Sequence, residues 1–599
     1  MNALTHGLLR TGWLVLVAVV VLGASRTQAV DSKWTAADGG VFNDPANWSA
    51  GVPGAADKAI FDLASAYTVS WSGSATNANA SVNKTGCDVT VSPGPHTWRV
   101  TNAFWVAENA ANSGMRLASG RLTVDKAMDV GYGRTGTLIV TNGASLEVGG
   151  NLRVGNNALG TTLVVAGAGS KVTVGGVLDT MMGNSRSNLL MVADGGSLLL
   201  TAPIPSGYIG SYNSASAWGN RMIVDGAGSS LEVGNYLYFR NMGTRFTVSN
   251  RGRVTVTNAT FAIAPDSNYG ARSNLFEVAG AGSRMDVKSF IFGTYNSLAK
   301  RADNDNQCRV VDGGLFTVIQ NITMGGTNNQ IVAAGPGSII QSSELHIQTE
   351  ADTVVPAVVI SGGALLTNQA LGLLSGDLIV TGAGSRYGKG VGGCAIAGQP
   401  IRPPARLLIA DGGLAAFPAD SNYVSIGSGN SGHAGHVEVS GVGARMEAPG
   451  SRGILVGEWG SGSLTVRGGG AVTTGQLKLG LQITATNSLF DLDGADSRVT
   501  VAGGCFLTRG TMRFTADEQG FGLLEVGSTL TVTGGAKLEI DATRLRPREG
   551  TFTLATHASR SGAFLADDIT IINGFGQVTQ TATSLSVRLY PQGSALILR

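Results

Sequence analysis

Charge is scarce in this chain. Asp, Glu, Lys and Arg make up 14% of its 599 residues, against about 25% in ordinary soluble proteins. The net charge of +2 is dispersed, which excludes a nucleic-acid partner, because such a partner needs a basic stripe. The densest basic cluster, Arg544, Arg546 and Arg548, is broken by Pro547 and Glu549 and reads as a solvated turn. Disorder needs low hydrophobicity and high net charge; with 43% hydrophobic residues, neither condition holds. No window of ten residues or more shows helical amphipathicity, which excludes an α/β fold. Beyond the N-terminus no apolar stretch approaches about 20 residues, so the mature chain is expected to have no transmembrane helix.

The N-terminus reads as a signal peptide over residues 1–29. His6 and Arg10 precede an apolar run from Gly12 to Gly23, and Thr27-Gln28-Ala29 supplies the small residues of a cleavage site. The expected address is therefore secreted or cell-surface.

Glycine is what the chain has in excess, 88 residues, roughly twice the average of about 7%. Two phrases alternate. One is a hydrophobic strand ending in Gly-Ala-Gly-Ser, as at Val165–Ser170, Val224–Ser229, Val278–Ser283 and Val380–Ser385. The other is strand, Asx/Gly-Gly turn, strand, as at Val140–Val148, Val192–Leu200 and Val311–Val318. The marker glycines run from Gly143 to Gly534. Each phrase recurs at about 55 residues and the two together at about 27, a period that belongs to solenoids and propellers. Leu146-Glu-Val148 and Leu231-Glu-Val233 alternate strictly, which puts the aliphatics on one face of a strand.

These patterns predict an all-β protein, a parallel β-helix or solenoid with β caps at both ends. Its hand is expected to be right, by analogy with parallel crossovers. A propeller fits less well: its blades must match, whereas the spacing of the half-unit varies from 20 to 33 residues in this sequence. The expected organisation is a Trp-containing β segment with the first coils over 30–129, the repeat region over 130–540, and a C-terminal β cap over 541–599. About 15 marker turns at about 4.8 Å give a rod of roughly 70 Å. The four cysteines are then expected to stay free. The closest pair in sequence, Cys308 and Cys394, is some three coils or about 14 Å apart, beyond the roughly 7 Å that a disulfide spans. Cys505 is expected in the core.

Val456-Gly-Glu-Trp-Gly-Ser-Gly-Ser-Leu-Thr-Val-Arg-Gly-Gly-Gly-Ala-Val472 and Val130–Val140, with the Gly-Ala-Gly-Ser phrases, resemble the bacterial repeat family associated with type V secretion and PEP-CTERM sorting. The resemblance covers roughly Val130 to Ala536. It implies an exported or surface β-solenoid and carries over no catalytic residue. The chain departs from that family after Ala536: neither a membrane barrel nor a Val-Pro-Glu-Pro sorting motif can be read there. Trp34, Trp48 and Phe61 also resemble the opening of such proteins. Those tryptophans could stack on sugars, but the simpler reading has the three side chains covering the open first coil.

Candidate chemistry is thin. His433 and His436 could be half a metal site, but their segment aligns with turn residues of sister repeats. Asp491, Asp493 and Asp496 have the spacing of a short calcium loop, yet position 12 is Ala502 rather than the Glu of a full EF-hand, and the segment copies the Gly-Ala-Gly-Ser turn. Asp303-Asn304-Asp305-Asn306 reads as an exposed hydrophilic insertion. No residue is assigned a catalytic, cofactor-binding or metal role, and no cofactor is expected. The expected function is a structural or adhesive surface solenoid without catalysis. The alternative is a polysaccharide-binding or polysaccharide-degrading β-helix, with an extracellular polysaccharide or another surface component as partner. Any site is sought first in the irregular stretch Gly388–Pro404, with Lys389, Cys394 and Arg402, where a cleft gathering acidic, basic and aromatic side chains would mark it.

Overall fold

Alternating aliphatics can be buried only if each short strand finds a neighbour, and here the neighbour is the next coil. In the computed structural model one coil runs Gly136–Val140, turns, runs Ser145–Val148, turns, and runs Leu152–Asn156. Each strand pairs in parallel with its counterpart one coil on: Leu138 with Leu163, Leu146 with Val172, Val154 with Thr180. We call the three strand positions the first, second and third faces. Leu138, Val140, Leu146, Val148, Leu152 and Val154 all point inward and are buried. The result is an all-β parallel solenoid with one continuous core. The structure describes residues 28–181, 183–202, 207–209, 217–239, 242–263, 272–293, 305–348, 355–390, 392–398, 403–418, 423–429, 432–485 and 487–591. Most of the signal-peptide reading, together with Asp303, Asn304 and Arg402, lies outside them.

Coil length varies as the glycine spacing implies, from 20 residues between Val358 and Leu378 to 33 between Leu198 and Leu231. The excess is taken up at corners, so the ladders keep their register. The first-face ladder begins at Gly40–Val41 and ends at Ile569–Ile572, with 21 strands among the described residues. At about 4.8 Å per step it is roughly 96 Å long, longer than the marker glycines alone suggest, because coils without those glycines stack before Val130. Helix among the described residues is confined to two single turns, Pro45–Asn47 and Ala566–Asp568. None is long and apolar enough to cross a membrane.

The alternation of the two phrases has a structural cause. In the Asp-Gly turn, Asp194 and Gly195 have φ of 52° and 84°, the left-handed region that glycine enters without cost. That geometry aims the Gly195 N–H along the axis. Ser229, in the Gly-Ala-Gly-Ser turn of the next coil, accepts it at 3.0 Å and donates its own hydroxyl to the Asp225 carbonyl at 2.6 Å. The same clasp joins Gly143 to Ser170, Gly313 to Ser338 and Gly363 to Ser385. One coil must offer the donor and the next the serine, hence a double period. Gly252 departs from the marker pattern: Asn250 and Arg251 carry the positive φ there. Gly252 instead lies so close to Val224 that a Cβ would come within 2.3 Å of its carbonyl oxygen.

At the N-terminal end Trp34, Trp48 and Phe61 are buried in an aromatic cluster with Phe42, Trp71 and Trp98. The indole N–H groups of Trp34 and Trp48 donate to the Ala36 and Phe42 carbonyls. These rings seal the first coils and are not placed to stack on a sugar. At the other end Gly550–Ser561 still pairs in parallel with Leu523–Val532, then antiparallel with Ser584–Leu589, which pairs antiparallel with Gly576–Gln580. The change of direction ends the parallel ladder and covers its open edge.

Candidate functional site

Outward positions on the third face form one column along the rod, running His346, Gly372, Ala395, Ser425, Leu455, Lys478, Phe506. The small residues Gly372, Ala395 and Ser425 make a depression of about 520 Å³. A Cβ on Gly372 would lie 2.7 Å from Nδ1 of His346, so glycine is what lets the imidazole lie along the floor. One end holds Glu344 and His346, joined at 2.9 Å. At the other end Tyr423 is flanked by cations: Lys478 Nζ lies 4.9 Å from its ring centre and donates to its hydroxyl at 2.9 Å, and the Arg452 guanidinium is 5.8 Å from the ring. Glu458 accepts the Ser425 hydroxyl at 2.8 Å.

An open groove with an aromatic face, two cations and two acids can hold a polyhydroxylated or mixed-charge chain. The coils carrying Glu344 and Ser425 are three steps apart, about 14 Å along the axis. Paired-carboxylate glycoside cleavage needs its two acids about 5–9.5 Å apart, so Glu344 and Glu458 are poorly spaced for it.

The groove takes in Gly393, Cys394 and Ala395 from the irregular stretch singled out in the sequence. Lys389 is elsewhere: it points inward, is buried, and donates to the Gly390 and Gly392 carbonyls. Burial pushes its pKa down, and burial pushes the Cys394 thiol up to about 12 despite that nearby lysine. Lys389 therefore satisfies corner carbonyls, and Cys394 is no nucleophile at neutral pH. Glu344, His346, Tyr423, Arg452, Glu458 and Lys478 were not singled out in the sequence. Their only signal was small outward residues between bulky ones, which can be seen only once the register is known.

The structure separates the remaining candidates. His436 lies in the strand Ala434–Ser440 rather than in a turn. It pairs with Ser463 in register, and its Nδ1 is 2.5 Å from that hydroxyl. The Nδ1 of His433 is buried without a hydrogen-bond partner. Asp491 accepts from Thr515, Asp493 pairs with Arg544, and the Ser497 clasp closes on the Asp493 carbonyl. Asp305 is exposed, as an exposed insertion requires, but Asn306 departs from that reading, being fully buried. It belongs to an asparagine ladder just before the first-face strands: Asn274 N–H donates to Asn306 Oδ1 and Asn306 N–H to Asn329 Oδ1, both at 3.0 Å. All four cysteines are buried and free.

No family model matches the chain, and no curated protein sequence matches it. Among solved structures the chain is similar to a hyper-glycosylated fragment of TibA, residues 55–350, modified by TibC. The identity is 12% and the TM-score 0.24, with 75% of this chain and 99% of that chain covered.

Proposed function

We propose that the chain is an exported β-solenoid of the bacterial surface, a structural and adhesive rod that holds an extended polysaccharide in its third-face groove and does not cleave it. The observation that carries this reading is the groove itself. Tyr423 stands between Lys478 and Arg452 above a floor of Gly372 and Ala395, while the acids sit on coils too far apart for paired cleavage. Export rests on the N-terminal signal reading. Kinship with the type V and PEP-CTERM-associated repeats rests on the phrases quoted above.

Electrophoresis of the protein through gels containing soluble polysaccharides tests the binding. Retardation that Tyr423→Ala and Arg452→Ala abolish supports it; unchanged mobility in every gel sinks it. Release of reducing ends that Glu344→Gln or Glu458→Gln abolishes would replace it with the polysaccharide-degrading reading. Antibody detection of the protein outside the cytoplasm tests export, and retention inside contradicts it.

A further inference from the structure

On the first face several arginines are neutralised across the ladder. Arg309 meets Glu277 at 3.5 Å, Arg406 meets Asp377 at 2.5 Å, and Arg513 meets Glu539 at 2.7 Å. In each case the carboxylate lies on an adjacent coil. Among the described residues Arg116 is unpaired but stands alone, between Thr90 and Ile139; Arg221 and Arg245 are unpaired neighbours. They stand directly opposite one another in the ladder, between Leu189 and Leu275, and neither side chain makes an ion pair or hydrogen bond among the described residues. Like charges directly opposite on parallel strands are destabilising. The arginines flank a cavity of about 410 Å³ lined also by Gly219, Asn220 and Gly243. Asn220 is fully buried; its Oδ1 takes the Asn188 N–H at 3.0 Å, which fixes the amide, and its Nδ2 finds no acceptor.

Beside this cavity the corner of the solenoid carries a ridge that runs along the axis. Leu159, Arg186, Trp218 and Met242 bridge one to the next on successive coils, and Arg272 donates to the Met242 sulfur. Trp218 is 54% exposed, in a protein whose N-terminal tryptophans are mostly buried. A concave pair of unneutralised guanidinium groups beside an exposed indole is the chemistry that recognises an acidic sugar. The guanidinium forks take a carboxylate or sulfate ester bidentately, and the indole lies against the apolar face of the ring.

We propose that Arg221, Arg245 and Trp218 form a binding site for an anionic polysaccharide running along the solenoid corner. The site is on a different face from the third-face groove and stands whether or not that groove binds. A lipid surface fits less well, because the arginines flank a cavity instead of a convex apolar patch.

Affinity electrophoresis of the full chain through gels containing polygalacturonate, dextran sulfate or uncharged dextran tests this. Retardation by either acidic polymer is expected and should persist in a Tyr423→Ala/Arg452→Ala variant, whereas uncharged dextran should give none in that variant; which polymer acts tells carboxylate from sulfate ester. The double variant Arg221→Gln/Arg245→Gln should bind at least ten-fold more weakly and Trp218→Ala several-fold more weakly. Arg546→Gln/Arg548→Gln, at the C-terminal basic cluster, should bind as the native chain does. Without polymer, the Arg221→Gln/Arg245→Gln protein should melt at the same temperature or higher, because a repulsion has been removed. Undiminished retardation of that double variant would overturn the proposal, as would a lowered melting temperature, which would mark the arginines as structural. Binding to anionic phosphatidylglycerol vesicles without binding to either polymer would overturn it too.

Discussion

Ser229 occupies a corner where one coil must be fastened to the next. Replacing it with Ala takes the acceptor from the half-buried Gly195 N–H, and the loss of such a hydrogen bond costs about 0.5–1.5 kcal/mol. Ser229→Ala should lower the denaturation free energy by that amount, read from the denaturant midpoint; an unchanged midpoint would show that the clasp is dispensable. His557 acts at the C-terminal cap, where it is buried. Burial pushes its pKa down, and Arg560 acts in the same direction. A depressed histidine stabilises the fold above its unfolded value of about 6.5, and that contribution is lost as pH falls below it toward the folded value. Between about pH 6.5 and that lower value the native chain should therefore lose stability faster than a His557→Leu variant. Parallel pH–stability curves would contradict this.

Among elements, the clearest gap between sequence and structure is the asparagine ladder. Period-2 alternation and positive-φ turn residues are written locally, so strands, corners and the parallel stack could be read from Leu146-Glu-Val148 or Val224–Ser229 alone. Asn306 could not be read in that way. Its meaning lies in Asn274 and Asn329 on the coils before and after it, and without the register it looked like part of a polar loop. The third-face groove was only half legible for the same reason. The irregular stretch marked its floor at Gly393–Ala395, while its walls come from residues on other coils, brought together by stacking. Asn306→Leu should cost about 1–3 kcal/mol, because it takes the acceptor from the buried N–H of Asn274. Stability within error of the native chain would show that the ladder contributes nothing.

For the whole molecule the claim is that coils add along one axis. The rod length, the distance between the third-face groove and the arginine pair, and the isolation of the four cysteines all depend on it. Outward first-face positions accept reporters without touching the core. The native thiols should not compete, since burial pushes those of Cys87, Cys394 and Cys505 up to about 11, 12 and 12. Thr137 and Gln307 stand six coils apart in one column, and Thr137 and Ser463 twelve. Spin labels on Thr137→Cys/Gln307→Cys and on Thr137→Cys/Ser463→Cys, measured by pulsed electron resonance, should give backbone separations of about 29 Å and about 58 Å at 4.8 Å per coil. A second distance equal to or shorter than the first, as a closed ring of blades would give, would contradict the solenoid and every site built on it.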